Sequence, residues 1–310
     1  MRPLRIGSRG SILARWQAER IRDLLADGTD AHPEIIFIKT SGDRFEQAQI
    51  QKIGLKGVFI KELEDALLED RIDLAVHSMK DVPTAIPAGL ALPAVCPRED
   101  VRDCLISASG AKLAELPAGA RVGTSSLRRQ SQLRHYRPDL DLRELRGNVD
   151  TRLRKLEQGE FDAIALAKAG LDRLGWSARM TEVLSTDISL PAVGQGALGI
   201  EARAGDAQVL RVLERLDHAE TRAAVTAERA LLAELEGGCQ VPIGAWARRE
   251  EGELVLEACV LSMDGAECVR KRAAGALERP EVLGRELARS LVAAGADRIL
   301  RLAGRNVDKH

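Results

Sequence analysis

Strand and helix alternate along this chain until about residue 200, and that rhythm restricts its fold more than any other feature. Residues 4–7 are a short apolar run, and Ser11 can cap a helix with Ile12, Leu13, Trp16, Ile21, Leu24 and Leu25 on one stripe. Residues 34–40 read as a buried strand, 57–69 as a helix with Phe59, Leu63, Ala66 and Leu67 on one face, and 74–77 as the next strand. Pro83 and Pro87 break the chain there. The rhythm restarts near residue 103, with strands at 104–106, 121–123, 140–145 and 161–167 and helices opening at Ser126 and near residue 149. Parallel strands need crossovers of helix length, so this order predicts helix-covered, mostly parallel sheets. Two such units in series predict two lobes with a cleft between them, and Gly-rich 190–200 reads as a hinge and return strand.

After residue 218 the pattern changes. A helix over 219–236 stops at Gly237-Gly238. Strand-like runs follow at 242–248, 253–261 and 266–273, with turn signals at Glu251-Gly252 and Asp264-Gly265, and a last helix covers 280–294. The expected fold is α/β, with two lobes of mixed, mainly parallel sheets and a small C-terminal α+β domain holding a three-stranded antiparallel sheet. The boundaries are 1–98 with 197–216, 99–196, and 217–310. No internal repeat is evident at this level.

The net charge is −1, which provides no global field for nucleic acid or a membrane. Arg outnumbers Lys 36 to 10. Genomic base composition explains such a bias, and so does a need for bidentate grip on carboxylate or phosphate; the total alone leaves both open. No run approaches the ~18 apolar residues of a membrane span, and the start of the chain lacks an apolar signal region. The expectation is a cytoplasmic protein. Its five Cys (96, 104, 239, 259, 268) have no CxxC spacing, which suits a reducing compartment and argues against disulfides or a zinc site.

Local clustering is more informative. The window 121–154 holds nine Arg against Asp139, Asp141, Glu144 and Asp150. Within it, Gly123-Thr124-Ser125-Ser126 leaves a strand and opens a helix, so backbone N–H groups and hydroxyls converge where an anion can bind. Arg128 and Arg129 fall in the first turn, where cations oppose the helix dipole. An anionic ligand would offset that; two solvated arginines beside a normal cap is the plain alternative. Arg146-Gly147-Asn148, with Asn148 as cap and Arg152 one turn on, and Arg9 between Ser8 and Ser11 are further strand-to-helix turns of this kind. Open α/β sheets bind ligands at such turns. Aromatics are 3% of the chain, with Tyr136 the single tyrosine, so stacking platforms for single-stranded nucleic acid are scarce and a small polycarboxylate or phosphate fits better.

His77-Ser78-Met79-Lys80-Asp81 ends a strand. If the strand persists, Lys80 and Asp81 point to opposite faces. His77 reads as a core residue; Asp81 is either a turn former before Pro83 or a carboxylate that stabilises a developing cation. Cys239 follows a helix C-terminus, where the dipole raises a thiol pKa, so it is either an inert thiol or an attachment point that reacts once.

Together these segments resemble the porphobilinogen deaminase family. The likeness runs from Arg5 to about residue 247, through Arg9–Ala14, Lys56–Glu64, Ala75–Pro83, Gly123–Gln130, Leu145–Val149, Ala192–Gly196 and Glu236–Gly244, and loosens beyond. The resemblance implies two periplasmic-binding-protein-like lobes, a small third domain, and a transferase of tetrapyrrole and heme biosynthesis. That enzyme condenses four porphobilinogen molecules head to tail into hydroxymethylbilane, with loss of ammonia, on a dipyrromethane primer. It implies a thioether from Cys239 to the dipyrromethane and a catalytic Asp81 that also contacts the cofactor. Lys80, Thr124, Ser126, Arg128 and Arg129 would hold the cofactor. Arg9, Ser11, Gln17, Arg146, Arg152, Arg173 and Gln195 would hold substrate or growing chain, and Lys56 and Phe59 would belong to a mobile segment over the cleft. It further implies a monomer needing neither metal nor nucleotide, binding neither membrane nor nucleic acid, with possible hand-over of product to uroporphyrinogen-III synthase. A two-lobed small-anion binding protein is the alternative, although it lacks an export signal and gives the third domain no purpose; an RNA-binding protein is a third, resting on the Arg window alone.

Overall fold

The computed structural model describes residues 3–27, 33–39, 60–235 and 241–307. In chain order the elements are β1 (Arg5–Ser8), α1 (Ile12–Ala26), β2 (Glu34–Phe37), α2 (Lys61–Leu68), β3 (Leu74–Ser78), β4 (Leu90–Val95), β5 (Asp103–Ser107) and β6 (Arg121–Gly123). There follow α3 (Leu127–Tyr136), β7 (Asp141–Arg143), α4 (Val149–Glu157), β8 (Ala163–Ala167), α5 (Lys168–Arg173), β9 (Glu182–Val183), β10 (Leu198–Arg203) and α6 (Ala207–Leu213). The chain ends with α7 (Ala219–Glu234), β11 (Ile243–Glu250), β12 (Glu253–Leu261), β13 (Cys268–Gly275), α8 (Pro280–Ala293) and α9 (Ala296–Val307).

Two compact bodies result, one of residues 1–98 and 197–222, the other of 99–196 and 223–310. The first holds a sheet of order β2-β1-β3-β10-β4. β1 runs parallel to β2 and β3, in register Arg5↔Glu34 through Ser8↔Phe37, while β10 is antiparallel to β3 and β4. Ile21 and Leu25 of α1 pack on one side with Ile6, Val76 and Ile200; Leu63, Ala66 and Leu67 of α2 pack with Ile72 and Ala75 in a second cluster. That second packing needs Gly7, where a Cβ would lie 2.2 Å from Ile72 Cδ1. Arg5 and Arg203 both bond the buried Asp73 (Arg5 Nε–Oδ2 3.0 Å, Arg203 Nη2–Oδ1 2.9 Å), tying the starts of β1 and β3 to the end of β10. Burial pushes the Asp73 carboxyl up, but the Arg5 and Arg203 bonds outweigh it and bring it down to about 2.

The second body repeats the plan as β7-β6-β8-β5-β9, with β6 parallel to β7 and β8 and with β5 antiparallel to β8 and β9. The period of two is visible in β5, where Cys104 and Ile106 join one apolar cluster and Leu105 the other. The C-terminal sheet, β11-β12-β13, is antiparallel throughout. Glu251 (φ 49°) and Gly252 (φ 91°) turn the first hairpin, since a two-residue loop matching strand twist needs positive φ at both positions. Ala245, Leu256 and Val260 on one face pack with Leu231, Leu287 and Ile299 of α7, α8 and α9; Cys259 and Leu261 on the other pack with Leu190.

The expected fold class is what the structure contains: two mixed sheets and a three-stranded antiparallel one. Parallel and antiparallel pairings are equal in number within each large sheet, because β10 and β5 enter against the direction of their neighbours. Five elements escaped the sequence reading: the short helices α5 and α6, and three with a plain local reason. β4 contains Pro93, which reads as a breaker but is tolerated at a sheet edge. β9 has two residues, too few for a periodic signal. α9 begins just after Gly295 (φ 99°), which ends α8 yet permits a new helix at once.

Candidate active site

In the first body the site residues cluster at the C-terminal ends of β1 and β3. Ser8 is buried, and its Oγ donates to the carbonyls of Arg9 (3.1 Å) and Ala14 (3.0 Å). Ser11 caps α1 as expected, accepting from Ala14 N at 3.3 Å, and Arg9 is half-buried on the turn between. Gln17 is buried and donates from Nε2 to Ser78 Oγ (2.9 Å), so α1 is fastened to the end of β3. β3 stops at Ser78, and Met79–Asp81 form a short 3-10 turn closed by Val82 N to Met79 O at 3.2 Å. The alternating placement of Lys80 and Asp81 therefore does not arise. Met79 is buried, Lys80 half-buried and Asp81 exposed. His77 is a satisfied core residue as read, with Nε2 3.0 Å from Oε2 of buried Glu201 on β10.

In the second body the expected turn forms after β6. Ser126 caps α3, accepting from Arg129 N at 3.4 Å. Thr124 is buried, accepting Ser126 N on Oγ1 (3.3 Å) and Gln130 Nε2 on its carbonyl (2.7 Å). Arg128 and Arg129 are neither solvated nor left facing an empty anion site. They are 4% and 5% exposed and share Asp103, the first residue of β5, which is fully buried. Arg128 Nη1 donates to Asp103 Oδ2 (2.7 Å) and the Leu190 carbonyl (2.7 Å); Arg129 donates to Oδ1 from Nη2 (2.8 Å) and Nε (3.0 Å). Ser189 Oγ (2.7 Å) and Gln195 Nε2 (2.9 Å) complete the shell of the carboxylate. Burial alone would raise the Asp103 pKa; the two guanidiniums reverse it and hold the carboxyl far below the usual range.

Asp103 escaped the sequence reading, although an acid opening the apolar run Cys104-Leu105-Ile106 is a signal that a buried cation waits nearby. The cluster remains incomplete as a charge set. Two guanidiniums face one carboxylate, and the buried Arg128 Nε has no acceptor among the described residues. An excess positive charge and a spare buried donor fit an approaching carboxylate, as a dipyrromethane bearing acetate and propionate groups would bring.

The other arginines differ in character. Arg146, half-buried, bonds Glu144 (Nε–Oε1 2.7 Å). Gly147 (φ 114°) makes the turn into α4, and Arg152 Nε donates back to its carbonyl at 2.7 Å. Asn148 stands at the cap position but makes no capping bond. Arg173 is 7% exposed, donating to Glu99 Oε2 (2.8 Å) and the Gly196 carbonyl (2.9 Å). Gln195 is buried, bonded also to the Val101 carbonyl (2.7 Å). The adjacent Gly194 N is held by Oε2 of buried Glu228 on α7 (2.7 Å), whose Oε1 takes Ala247 N of β11 (2.8 Å). Glu228 thus fastens α7 and β11, the elements flanking residues 236–240. Cys239, Lys56 and Phe59 lie outside the described residues.

Residues 4–211 match the family profile described as porphobilinogen deaminase, dipyromethane cofactor binding domain, and residues 222–293 match the porphobilinogen deaminase C-terminal domain. The chain is 55% identical to a porphobilinogen deaminase of Desulforudis audaxviator, across 95% of this chain and 96% of that one. It is 50% identical to a porphobilinogen deaminase of Syntrophotalea carbinolica, across 96% and 95%. Among solved structures, a periplasmic substrate-binding protein of an ABC transporter from Coxiella burnetii is similar at a TM-score of 0.43 and 13% identity, covering 69% of this chain and 91% of that one. With two family profiles spanning most of its length and relatives at half identity or better, this chain belongs to the porphobilinogen deaminase family.

Proposed function

We propose that this chain is a hydroxymethylbilane synthase, a transferase that joins four porphobilinogen molecules head to tail with loss of ammonia and releases hydroxymethylbilane. The observation that carries the reading is 55% identity over 95% of the chain to a porphobilinogen deaminase. The match continues through residues 222–293, which a two-lobed anion receptor would have no use for. In this reading Cys239 carries a dipyrromethane through a thioether, and the bound group supplies the pyrrole α-carbon that receives each new unit.

The chain's own residues supply grip and charge. Arg128 and Arg129, together with Lys80, Thr124 and Ser126, hold the cofactor, and the excess positive charge around Asp103 supports that role for the two arginines. Arg9, Ser11, Gln17, Arg146, Arg152, Arg173 and Gln195 serve substrate and growing chain. Arg9, Arg146 and Arg152 sit on strand-to-helix turns and act by direct contact, whereas buried Gln17, Arg173 and Gln195 act by fixing the backbone around them. Each porphobilinogen brings an acetate and a propionate, so the load of carboxylates grows with every addition, and planar guanidiniums suit it. Asp81, exposed on the turn that ends β3, accepts pyrrole N–H bonds and stabilises the positive charge left on the pyrrole as ammonia departs.

The reading keeps the division into 1–98 with 197–216, 99–196 and 217–310, the last carrying the cofactor. It includes a cytoplasmic monomer that hands its reactive open-chain product to a uroporphyrinogen-III synthase. Incubation with porphobilinogen tests the activity: one ammonia should appear per substrate consumed, together with hydroxymethylbilane. Cofactor-loaded protein that consumes no porphobilinogen overturns it.

A further inference from the structure

One strand-to-helix device occurs twice in this chain. Arg9-Gly10-Ser11 leaves β1 and opens α1, and Arg15 lies four residues beyond the cap. Arg146-Gly147-Asn148 likewise leads into α4, though without a capping bond from Asn148, and Arg152 lies four residues beyond that cap position. The match extends to one hydrogen bond. Arg15 Nε donates to the Gly10 carbonyl at 3.0 Å, and Arg152 Nε donates to the Gly147 carbonyl at 2.7 Å. In each turn the arginine of the helix folds back over the glycine and commits its inner nitrogen to the backbone.

Arg15 carries a second tether. Its guanidinium carbon lies 4.6 Å from the ring centroid of Phe37, within range of a cation–π contact. Phe37 is the last residue of β2 and pairs with Ser8, the last residue of β1. The guanidinium is thus held over the C-terminal ends of two parallel strands, where open α/β sheets bind their ligands. Phe37 is 47% exposed, although a large aromatic ring at a strand end is ordinarily covered.

A surface arginine without a carboxylate partner is common; Arg15 differs in being held by two tethers at once, a carbonyl and a ring face. Several surface arginines are ordered by acids, as Arg22 by Asp23 (2.8 Å), Arg71 by Glu69 (2.7 Å) and Arg102 by Asp100 (2.6 Å), and others by carbonyls alone, as Arg215 by Asp27 (2.6 Å). Arg15 is exposed, is fixed by a neutral carbonyl and a ring face, and forms no ion pair among the described residues. Neither tether neutralises its charge. Ordering a long side chain costs entropy that an exposed arginine does not ordinarily lose, and a pre-organised, uncompensated guanidinium is what a carboxylate ligand needs.

We infer that Arg15 is a further substrate-binding residue, gripping a carboxylate of the incoming pyrrole beside Arg9, a role like the one proposed for Arg152 at its own turn. The inference rests on the reading of Arg152 as a substrate grip. The experiment uses cofactor-loaded holoenzyme of wild type, Arg15→Leu, Arg15→Lys, Arg152→Leu and the helix-surface control Arg22→Leu, assayed over a range of porphobilinogen concentrations. For Arg15→Leu we expect unchanged adduct mass and Tm, a KM raised about tenfold through loss of a charge-assisted bond, and kcat within about twofold. Arg15→Lys, which keeps the charge and loses the fork, should fall between. Arg22→Leu should match wild type. Unchanged KM in Arg15→Leu beside an impaired Arg152→Leu overturns the inference and spares the functional reading. Normal kinetics in both variants overturn the polycarboxylate grip itself, and the inference with it. A fall in Tm or kcat in Arg15→Leu without a rise in KM makes Arg15 a structural residue and equally overturns the inference.

Discussion

Replacing Asp103 by Asn keeps the volume of a side chain that is fully buried and deletes the charge that two guanidiniums share. Arg128 and Arg129 cannot escape by losing protons, because arginine stays charged at any working pH. They would be left as two buried cations with dipolar partners only. Removing one member of a buried pair costs about 3–5 kcal/mol, and the double pairing places this site toward the upper end. In a body of this size each kcal/mol shifts Tm by roughly 2–4 °C, so the variant should melt some 6–20 °C lower. The assay is thermal unfolding of cofactor-free protein from pH 8 down to pH 5. The sign of the linkage is definite. The folded pKa of Asp103 is depressed, so its contribution is fully present above the ordinary carboxylate pKa of 3.8 and is lost only as pH falls toward the much lower folded value. The gap between wild type and variant should therefore stay flat across that range. A Tm within about 2 °C of wild type would refute the reasoning, because it would mean that the arginines do not depend on Asp103 for their burial.

Cys239→Ser should abolish a covalent adduct of two linked pyrroles in the intact mass, whereas changes at Cys96, Cys104, Cys259 or Cys268 should leave it; an active wild type at the bare 33.7 kDa would refute the attachment. Asp81→Asn should fold normally, since the side chain is exposed, and should lose about two orders of magnitude in single-turnover ammonia release, with Asp81→Glu retaining more. Asp73, held at about 2 by Arg5 and Arg203, contributes stability that is present above pH 3.8 and fades as pH drops toward 2. Acid titration should show Asp73→Asn converging on wild type over that interval, and parallel curves down to pH 2 would contradict it.

Periodicity carried most of the fold. The helix stripe Ile21–Leu25, the buried run Leu74–His77 and the hairpin signal Glu251-Gly252 each depend on local chemistry, and each is found where that chemistry puts it. Elements that depend on distant partners were not legible. β4 exists because β10 returns beside it and leaves Pro93 at an edge. The 3-10 turn at Met79–Asp81, which sets Asp81 out in solvent, is pinned by Met79 N to Ala197 O (3.0 Å), more than one hundred residues away in sequence. The repeated Arg-Gly-cap turn was present in the sequence all along. Ser11 against Asn148 hides it from a search for identical residues, and the shared carbonyl bond reveals it.

The arginines show why residue type alone cannot assign a role. Arg128, Arg152 and Arg173 are equally cationic, and each lies near a strand-to-helix turn or its continuation. Their surroundings separate them. Arg173 spends its charge on Glu99 and its second donor on the Gly196 carbonyl, so its loss would loosen the backbone next to Gln195. Arg152 commits one nitrogen to Gly147 and is half-buried, so a substitution there chiefly changes what the turn can hold. Arg128 combines the two cases. Deleting it would remove a donor for a ligand and half of the compensation of Asp103 at once, so loss of cofactor in Arg128→Leu would not by itself identify a grip. The discriminating feature is the arithmetic of the cluster: two guanidiniums on one carboxylate leave a single positive charge that no described residue neutralises. Removing Asp103 raises that charge and removing Arg128 cancels it. A ligand carboxylate held by this cluster should therefore stabilise cofactor-loaded Asp103→Asn, relative to its cofactor-free form, more than it stabilises wild type. It should give no such increment in Arg128→Leu. A residue set that served packing alone would give the same increment in all three proteins.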